Sequence, residues 1–538
     1  MKQSADEKYI LILGAGLMQR PSIEAARELG YRALVVDANP AAVCVPFADR
    51  FEQVDLKDRG ALAELALSLG DSLAAVFTAG TDFSASVSYV AEKCGLRAHP
   101  FQAALNASDK TLMRECFVKA GVPSPSFVKV GRGDIAAYLK QGLDKMSFPK
   151  VVKPADNMGA RGCRLIRSAD EFLHSVEVAV SYSRTGKAIL EDFMEGPEFS
   201  IDALLYDGAL TITGFADRHI FYSPYFIEMG HTLPSVFDED KKKELVATFA
   251  KGIASLGLTC GAAKADIKYT SSGPMVGEIA ARLSGGYMSG WTFPYASGLN
   301  LTKEAMRIAL GERPSVLEES RVPLDVGCDL PFKVYDIPCR RTSAERAWIS
   351  IPGQVTEVLA VDRAEAEPYV RNVMPRLGVG DRVDFPRNNV EKCGNVIAVS
   401  ERHELAVQAA EQAVSSIILR LKPDGRETDS FLAGTEQFCE KGFPPDAFEL
   451  AEEDEKIVFD YAGRIGRIEK DCPCAKIDDG GFLKVAENSR DYNHRSLLAT
   501  LELFDCMCPD HPEFDAGKFF RTAIRGGLQG LLYMRDSR

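Results

Sequence analysis

The stretch GAAKADIKYTSSGPMVGEIAARL (261–283) constrains the chain most. Two short runs, AAKADIKY and MVGEIA, alternate apolar and polar residues and are joined by the polar turn TSSGP, so they read as an antiparallel hairpin. If the turn centres on Ser272, Asp266 faces Glu278. Directly opposed residues have Cβ atoms roughly 4.5–5.5 Å apart on one face of the sheet. Two carboxylates there repel, and something must offset the repulsion. One reading is a hard cation: Mg²⁺ takes one or two carboxylates together with substrate phosphates. The other is a solvated face with Lys264 and Lys268 as counter-charges. Arg282 and a flexible Ser284-Gly285-Gly286 turn follow the second strand. An arginine and turn N–H groups beside such a pair suit a transferring phosphoryl group.

The rest of the chain supplies the frame. KYILILGAG, PSIEAARELGY and RALVVDANP (8–40) read strand, glycine turn, helix, strand, and LAAVFTAGTD (73–82) adds a further buried strand. That predicts a doubly wound α/β domain at the amino terminus. Gly14-x-Gly16-x-x-Gln19 lacks the third glycine of a dinucleotide loop, and helix–strand packing accounts for the turn equally well. A helix is expected to begin at Ser108, as its N-cap, in SDKTLMRECFVKAG. FPKVVKP (148–154) reads as a strand and DNMGARG (156–162) as a glycine-bearing loop carrying Arg161. The middle of the chain is therefore α+β, with paired strands. Beyond about residue 320 come short strands, a helix (ELAVQAAEQAVSSIILRL), the polar stretch KPDGRETDSF (422–431) as a linker, and a tail expected to be mostly helical.

Bulk composition narrows the function. At 538 residues the chain exceeds one ordinary core. Its 64 Lys and Arg against 77 Asp and Glu give a net charge of -13, which argues against nucleic acid as the main partner. No apolar run approaches the ~20 residues of a membrane helix, and the amino terminus lacks a signal-peptide pattern. Thirteen cysteines, an odd and scattered set, suggest reduced thiols and a cytoplasmic location. No GxxxxGK[ST] occurs, so a nucleotide site here is not a Walker site. Cys472-Pro-Cys474 and Cys506-Met-Cys508 could together hold zinc or could be ordinary buried thiols.

The ordered set SDK (108–110), VVKP (151–154), NMGARG, LEDFMEGPEFSID and Asp266/Glu278/Arg282 resembles the ATP-grasp superfamily, the carboxylate–amine ligases and their biotin-carboxylase-like relatives, from about Lys8 to Leu421. The resemblance implies a pre-ATP-grasp α/β domain (1–107), a two-lobed ATP-grasp domain (108–315) with a lid loop near 154–163, a carboxy-terminal lobe (316–421) and an extension of unassigned role (422–538). It implies ATP as cosubstrate, with Lys110 and Lys153 on its phosphates, Glu191 and the backbone of Phe193 and Met194 on adenine, and Glu198 on the ribose. Asp266 and Glu278 would bind Mg²⁺ (or Mn²⁺), with Glu278 bridging two ions, while Arg282 and Arg161 would act on the transferred phosphoryl group. SPYFIEMGHTLPS (223–235) resembles a substrate-pocket segment, so Glu228, His231, Ser284, Gly285 and Gly286 are substrate candidates; Glu228 and His231 could equally just satisfy a loop. Many members carry Glu-x-Asn, and here that asparagine position is Ala280.

The implied activity joins a small carboxylate to an amine through an acyl phosphate, in a homodimer without nucleic-acid or membrane partners. A carboxylase or purine-pathway ligase is an alternative within the superfamily. A non-catalytic nucleotide-binding protein is an alternative outside enzymes.

Overall fold

The computed structural model describes residues 8–134, 147–435, 442–469 and 480–537. The chain forms two compact units: 1–219 with 231–343, and 220–230 with 344–538.

The first unit opens with a four-stranded parallel sheet of β1 (Tyr9–Leu13), β2 (Arg32–Asp37), β3 (Arg50–Gln53) and β4 (Leu73–Phe77), in the order β3-β2-β1-β4. The near-continuous apolar runs of β1, β2 and β4 fit a sheet covered on both faces. Ile10, Ile12 and Val35 enter one core, and Leu11, Leu13 and Leu34 enter another. Gln19, at the missing glycine, is buried and tied to the end of β4, its Oε1 accepting from Ala79 N at 3.1 Å. That turn is a packing device.

Two antiparallel sheets follow. The first contains β5 (Phe127–Gly131), β6 (Lys150–Pro154), β7 (Arg164–Ile166) and β8 (Lys187–Asp192), in the order β5-β8-β6-β7. Helix Phe172–Tyr182 buries Phe172, Val176 and Ala179 against it. The second contains β9 (Glu198–Tyr206), β10 (Ala209–Phe221), β12 (Gly261–Thr270) and β13 (Gly273–Ala280), neighbours in the order β13-β12-β9-β10; β11 (Ile227–Leu233) follows β10 along the chain. Helix Glu239–Leu256 covers this sheet with Phe249 and Ile253.

One helix start differs from expectation. Ser108 ends the helix Phe101–Ser108, and Asp109 caps the next, Lys110–Ala120. The Asp109 carboxylate accepts from Thr111 N (2.7 Å) and Leu112 N (3.2 Å). The extended backbone needed at an N-cap falls at Asp109 because Ser108 still bonds back to Ala104 O.

In the second unit, strands Gly353–Leu359 and Gly394–Ser400 and helix His403–Ser416 precede a helical tail, as expected, but the helix expected to run to Leu421 stops at Ser416, and Ile418–Leu421 is a strand paired with Gly353–Leu359. Lys422–Phe431 is not a bare linker. Its helix Arg426–Leu432 buries Phe431 in the unit's main core. Ile349, Ile351 and Leu421 share that core with Phe482, Phe504, Phe519 and Phe520 of the tail, so the tail completes the lobe it follows.

Candidate active site

The site lies in the first unit. Asp266 on β12 pairs with Glu278 on β13, as expected. The turn is one residue tighter than expected, with Thr270 opposite Gly273 and Ile267 opposite Val276. Gly277 is the extra residue of a bulge and restores the Asp266–Glu278 pairing. A Cβ on Gly277 would stand 3.0 Å from the Asp266 carbonyl oxygen, so a side chain is poorly tolerated at this close approach.

Cations surround the pair. Lys110, the first residue of its helix and 6% exposed, places Nζ 3.3 Å from Glu278 Oε2 and donates to Asn157 O at 2.9 Å. Lys264 Nζ donates to Asp266 Oδ2 at 2.6 Å. Arg218 Nη1 lies 2.8 Å from Asp266 Oδ1, yet that buried oxygen accepts no aligned hydrogen bond among the described residues. The contact is therefore an ion pair by distance only. Burial opposes ionisation of Glu278, but Lys110, Lys264, Arg282 and Lys153 outweigh it and hold its carboxyl at about 2. Arg282 is buried, and its Nε has no hydrogen-bond partner among the described residues.

The two carboxylates fit one Mg²⁺: Glu278 is ionised and Asp266 keeps an oxygen without an aligned donor. Among the described residues no group of three His, Cys, Asp or Glu forms a metal cluster.

Glu191 differs from expectation. It is 1% exposed, held by Arg114 Nε at 2.7 Å and Lys153 Nζ at 2.8 Å. Burial pushes its carboxyl up, and Arg114 and Lys153 more than reverse that. Its two oxygens are committed to cations, which leaves little of it open to adenine. Arg114, also 1% exposed, donates through Nη2 to Gly277 O at 2.6 Å. It recurs one helical turn after Lys110, a spacing visible in the sequence but unused there.

Phe193 and Met194 are half-buried rather than core. Phe193 N donates to Pro149 O at 3.3 Å and Met194 O accepts from Lys268 at 3.2 Å. Glu198 meets Arg218 at 2.6 Å and Lys268 at 3.4 Å. Arg161 sits in a loop whose Gly159, Ala160 and Gly162 all have positive φ. Asp156 anchors the start of that loop, accepting from Ser183 Oγ and Arg184 N.

Ser284 also differs. Its N–H (3.2 Å) and Oγ–H both donate to Asp202, a buried carboxylate on β9, so they serve the turn itself. Burial raises the Asp202 carboxyl to about 6 despite Ser284, Lys264 and Arg282. Gly286 has φ +61°, and Gly80 presses against Gly285, where a Cβ would stand 3.2 Å from Gly285 Cα. That approach brings the TAGTD turn to the site. Burial raises the carboxyl of Asp82 there, opposed by Arg282 and Lys110. Asp82 and Asp202 were missed, because only the folded chain brings them to Arg282.

His231, on β11, is buried against Thr292 Oγ1 at 2.9 Å. Glu228 belongs to the second unit, where its backbone N donates to Asn389 Oδ1 at 2.8 Å. Cys506 is exposed and Cys508 buried in that unit; Cys472 and Cys474 lie outside the described residues.

Residues 146–290 match the ATP-grasp domain family. This stretch is an ATP-grasp domain. Behind that domain, residues 347–422 match the L-amino acid ligase C-terminal domain 2. Carnosine synthase 1 of Homo sapiens is 24% identical over 335 residues, 57% of this chain and 40% of that protein. Alanine–anticapsin ligase of Bacillus subtilis (strain 168) is 29% identical over 236 residues, 39% of this chain and 48% of that one. The chain thus spans less than half the length of either relative. The crystal structure of L-amino acid ligase from Bacillus licheniformis superposes with a TM-score of 0.64 at 18% identity, over 77% of this chain and 99% of that one. The fold shared with that structure therefore extends well beyond the matched domain. No described helix is long and apolar enough to cross a membrane.

Proposed function

We propose that this ATP-grasp protein is an ATP-dependent ligase that forms a C–N bond between a small carboxylate and an amine, most simply two amino acids. The observation that carries this reading is the Asp266–Glu278 pair ringed by Lys110, Lys153 and Arg282. The named relatives support it, being a synthase and ligases by name, two of them naming an amino acid.

Mg²⁺ bound with ATP by Asp266 and Glu278 would neutralise phosphate charge. Lys110 and Lys153 bind the phosphates, and Glu191 acts chiefly by holding Lys153 in place. Phe193 and Met194 flank the adenine, and Glu198 meets the ribose. The substrate carboxylate attacks the γ-phosphorus and ADP leaves. The resulting acyl phosphate is then attacked by the amine, which forms the amide, expels phosphate and gives up a proton. Arg282, with an unpaired Nε, stabilises the transferring phosphoryl group, and the 154–163 loop with Arg161 closes over it. Gly285 and Gly286 border the acyl end, and His231 is a candidate for the amine. The protein positions and neutralises rather than forming a covalent bond. Cys163, near Lys110 and Lys153, has its thiol pushed up by burial, which disfavours a thiolate nucleophile. In this reading the enzyme is a cytoplasmic homodimer; sedimentation of the purified chain checks the oligomeric state.

The test is phosphate release from ATP and Mg²⁺ with the twenty amino acids and small carboxylic acids, singly and in pairs. Release requiring two substrates is expected. Release with bicarbonate alone would point to a carboxylase-type reaction. Nucleotide binding without release under any pair would point to a non-catalytic protein.

A further inference from the structure

We propose that the Lys264 ammonium is a built-in cation standing where a second metal ion would sit, so that the site takes one Mg²⁺ per ATP. This rests on the ATP-binding reading above.

The argument starts from register. Lys264 faces Ala280 on β13 and Asp202 on β9. Residues two apart on a strand share a face. Lys264 therefore lies on the same face as Asp266, one repeat along from the Asp266–Glu278 pair. At that next row β13 offers Ala280, a buried methyl group and no oxygen. Nor is Asp202 available as a ligand, since Ser284 takes it through both N–H and Oγ–H.

The contact then decides how Asp266 is shared. Its Oδ2 accepts from Lys264 Nζ at 2.6 Å, while its Oδ1 accepts no aligned hydrogen bond. Oδ1 also stands 2.8 Å from Arg218 Nη1, but that guanidinium keeps Glu198 at 2.6 Å, so an ion displaces it from Oδ1 more readily than it displaces the ammonium from Oδ2. Lys264 is held in place, with a side chain only 14% exposed. Paired metal ions in phosphoryl-transfer sites stand roughly 3.5–4 Å apart and share bridging oxygens. An ammonium within hydrogen-bond reach of Oδ2 occupies that neighbouring position and repels a second divalent ion. Mg²⁺ also demands close to six oxygens. A second ion would have to find them beside Lys264, Arg218 and Arg282, where among the described residues no third acidic ligand joins the pair.

The test counts ions rather than turnovers. The full-length protein is saturated with a non-hydrolysable ATP analogue and titrated with Mn²⁺, read by electron paramagnetic resonance and by calorimetry. One bound Mn²⁺ per chain is expected, and two would overturn the proposal. Lys264→Ala combined with Ala280→Asn removes the ammonium and restores an oxygen, so two ions are expected in that variant. Circular dichroism melting confirms that it is folded. A count of one in both proteins would overturn the claim that Lys264 excludes the second ion. If the analogue itself fails to bind, with no calorimetric heat at any Mn²⁺ concentration, the ATP reading falls and this inference with it. That result is distinct from a count of two.

Discussion

Asp266 stands opposite Glu278 across the β12–β13 hairpin, and Gly277 is bulged out beside the pair. The bulge turns the Gly277 carbonyl to Arg114, which also holds Glu191. One arginine thus ties the pair's strand to the buried carboxylate that grips Lys153. This linkage explains how two lobes of the first unit present their charges to one place.

Glu278→Gln keeps the shape of the side chain and removes its charge. Phosphate release should fall at least ~100-fold, the loss typical of a charge-stabilising group. The ionised carboxylate balances Lys110, Lys264, Arg282 and Lys153, so the variant should also unfold at lower urea. Because the native carboxyl is held at about 2, below its ordinary 4.5, this contribution is complete above pH 4.5 and fades as the pH falls toward 2. Urea unfolding at several pH values, alongside the phosphate assay, checks both. Unchanged release would remove Glu278 from the metal site.

Asp202 has the opposite sign. Burial raises its carboxyl from 3.8 to about 6, so its protonated form suits the fold. Stability linked to it is complete below pH 3.8 and is lost as pH rises through about 6. The shift of ~2 pH units corresponds to about 3 kcal/mol at most. Asp202→Asn cannot ionise. Its stability relative to the wild type should therefore rise between pH 4 and pH 7, and paired melts across that range would show it.

The Arg114–Glu191 pair is among the most buried in the described chain. Removing Arg114 leaves the Glu191 charge to Lys153 in a dry site, so the about 3–5 kcal/mol typical of a fully stranded charge is an upper bound. Arg114→Met should lose stability by urea unfolding, by no more than that amount. Adding Glu191→Gln to it should recover part of the loss, since the stranded charge is then gone. Full additivity of the two changes would argue against a coupled pair.

Gly214 lies at a register shift between β9 and β10. A Cβ there would fall 0.6 Å from Phe293 Cε1, inside the ring of a residue 1% exposed. Gly214→Ala must displace that ring, and overpacking of this kind costs ~1–3 kcal/mol or more. The melting temperature should drop by several degrees, and a melt within one degree of the wild type would show that Phe293 moves freely.

Much of this molecule was legible locally. The runs YILIL, RALVVD and LAAVF specify buried parallel strands by composition, and the alternation in AAKADIKY and MVGEIA specifies a hairpin with its carboxylates on one face. The Asp266–Glu278 pairing came through because two offsets cancelled: the turn was one residue tighter than expected, and the Gly277 bulge restored the count. A bulge leaves no period of its own in a sequence, so only hydrogen bonding revealed it. Capping misled by one residue at Ser108, where Ser and Asp are adjacent and both are good caps.

What the sequence by itself determined was the order of strands and helices, the carboxylate pair, and the lysines and arginine that would attend it, because periodicity and charge are local properties. Tertiary structure decided which cation each carboxylate keeps. Glu191 lies 77 positions from Arg114, Asp202 lies 82 from Ser284, and Asp82 feels Arg282 because the Ala79–Leu283 bridge and the Gly80–Gly285 approach bring the two turns together. Electrostatics at a few ångströms depends on distance and burial, and neither exists until the chain has folded.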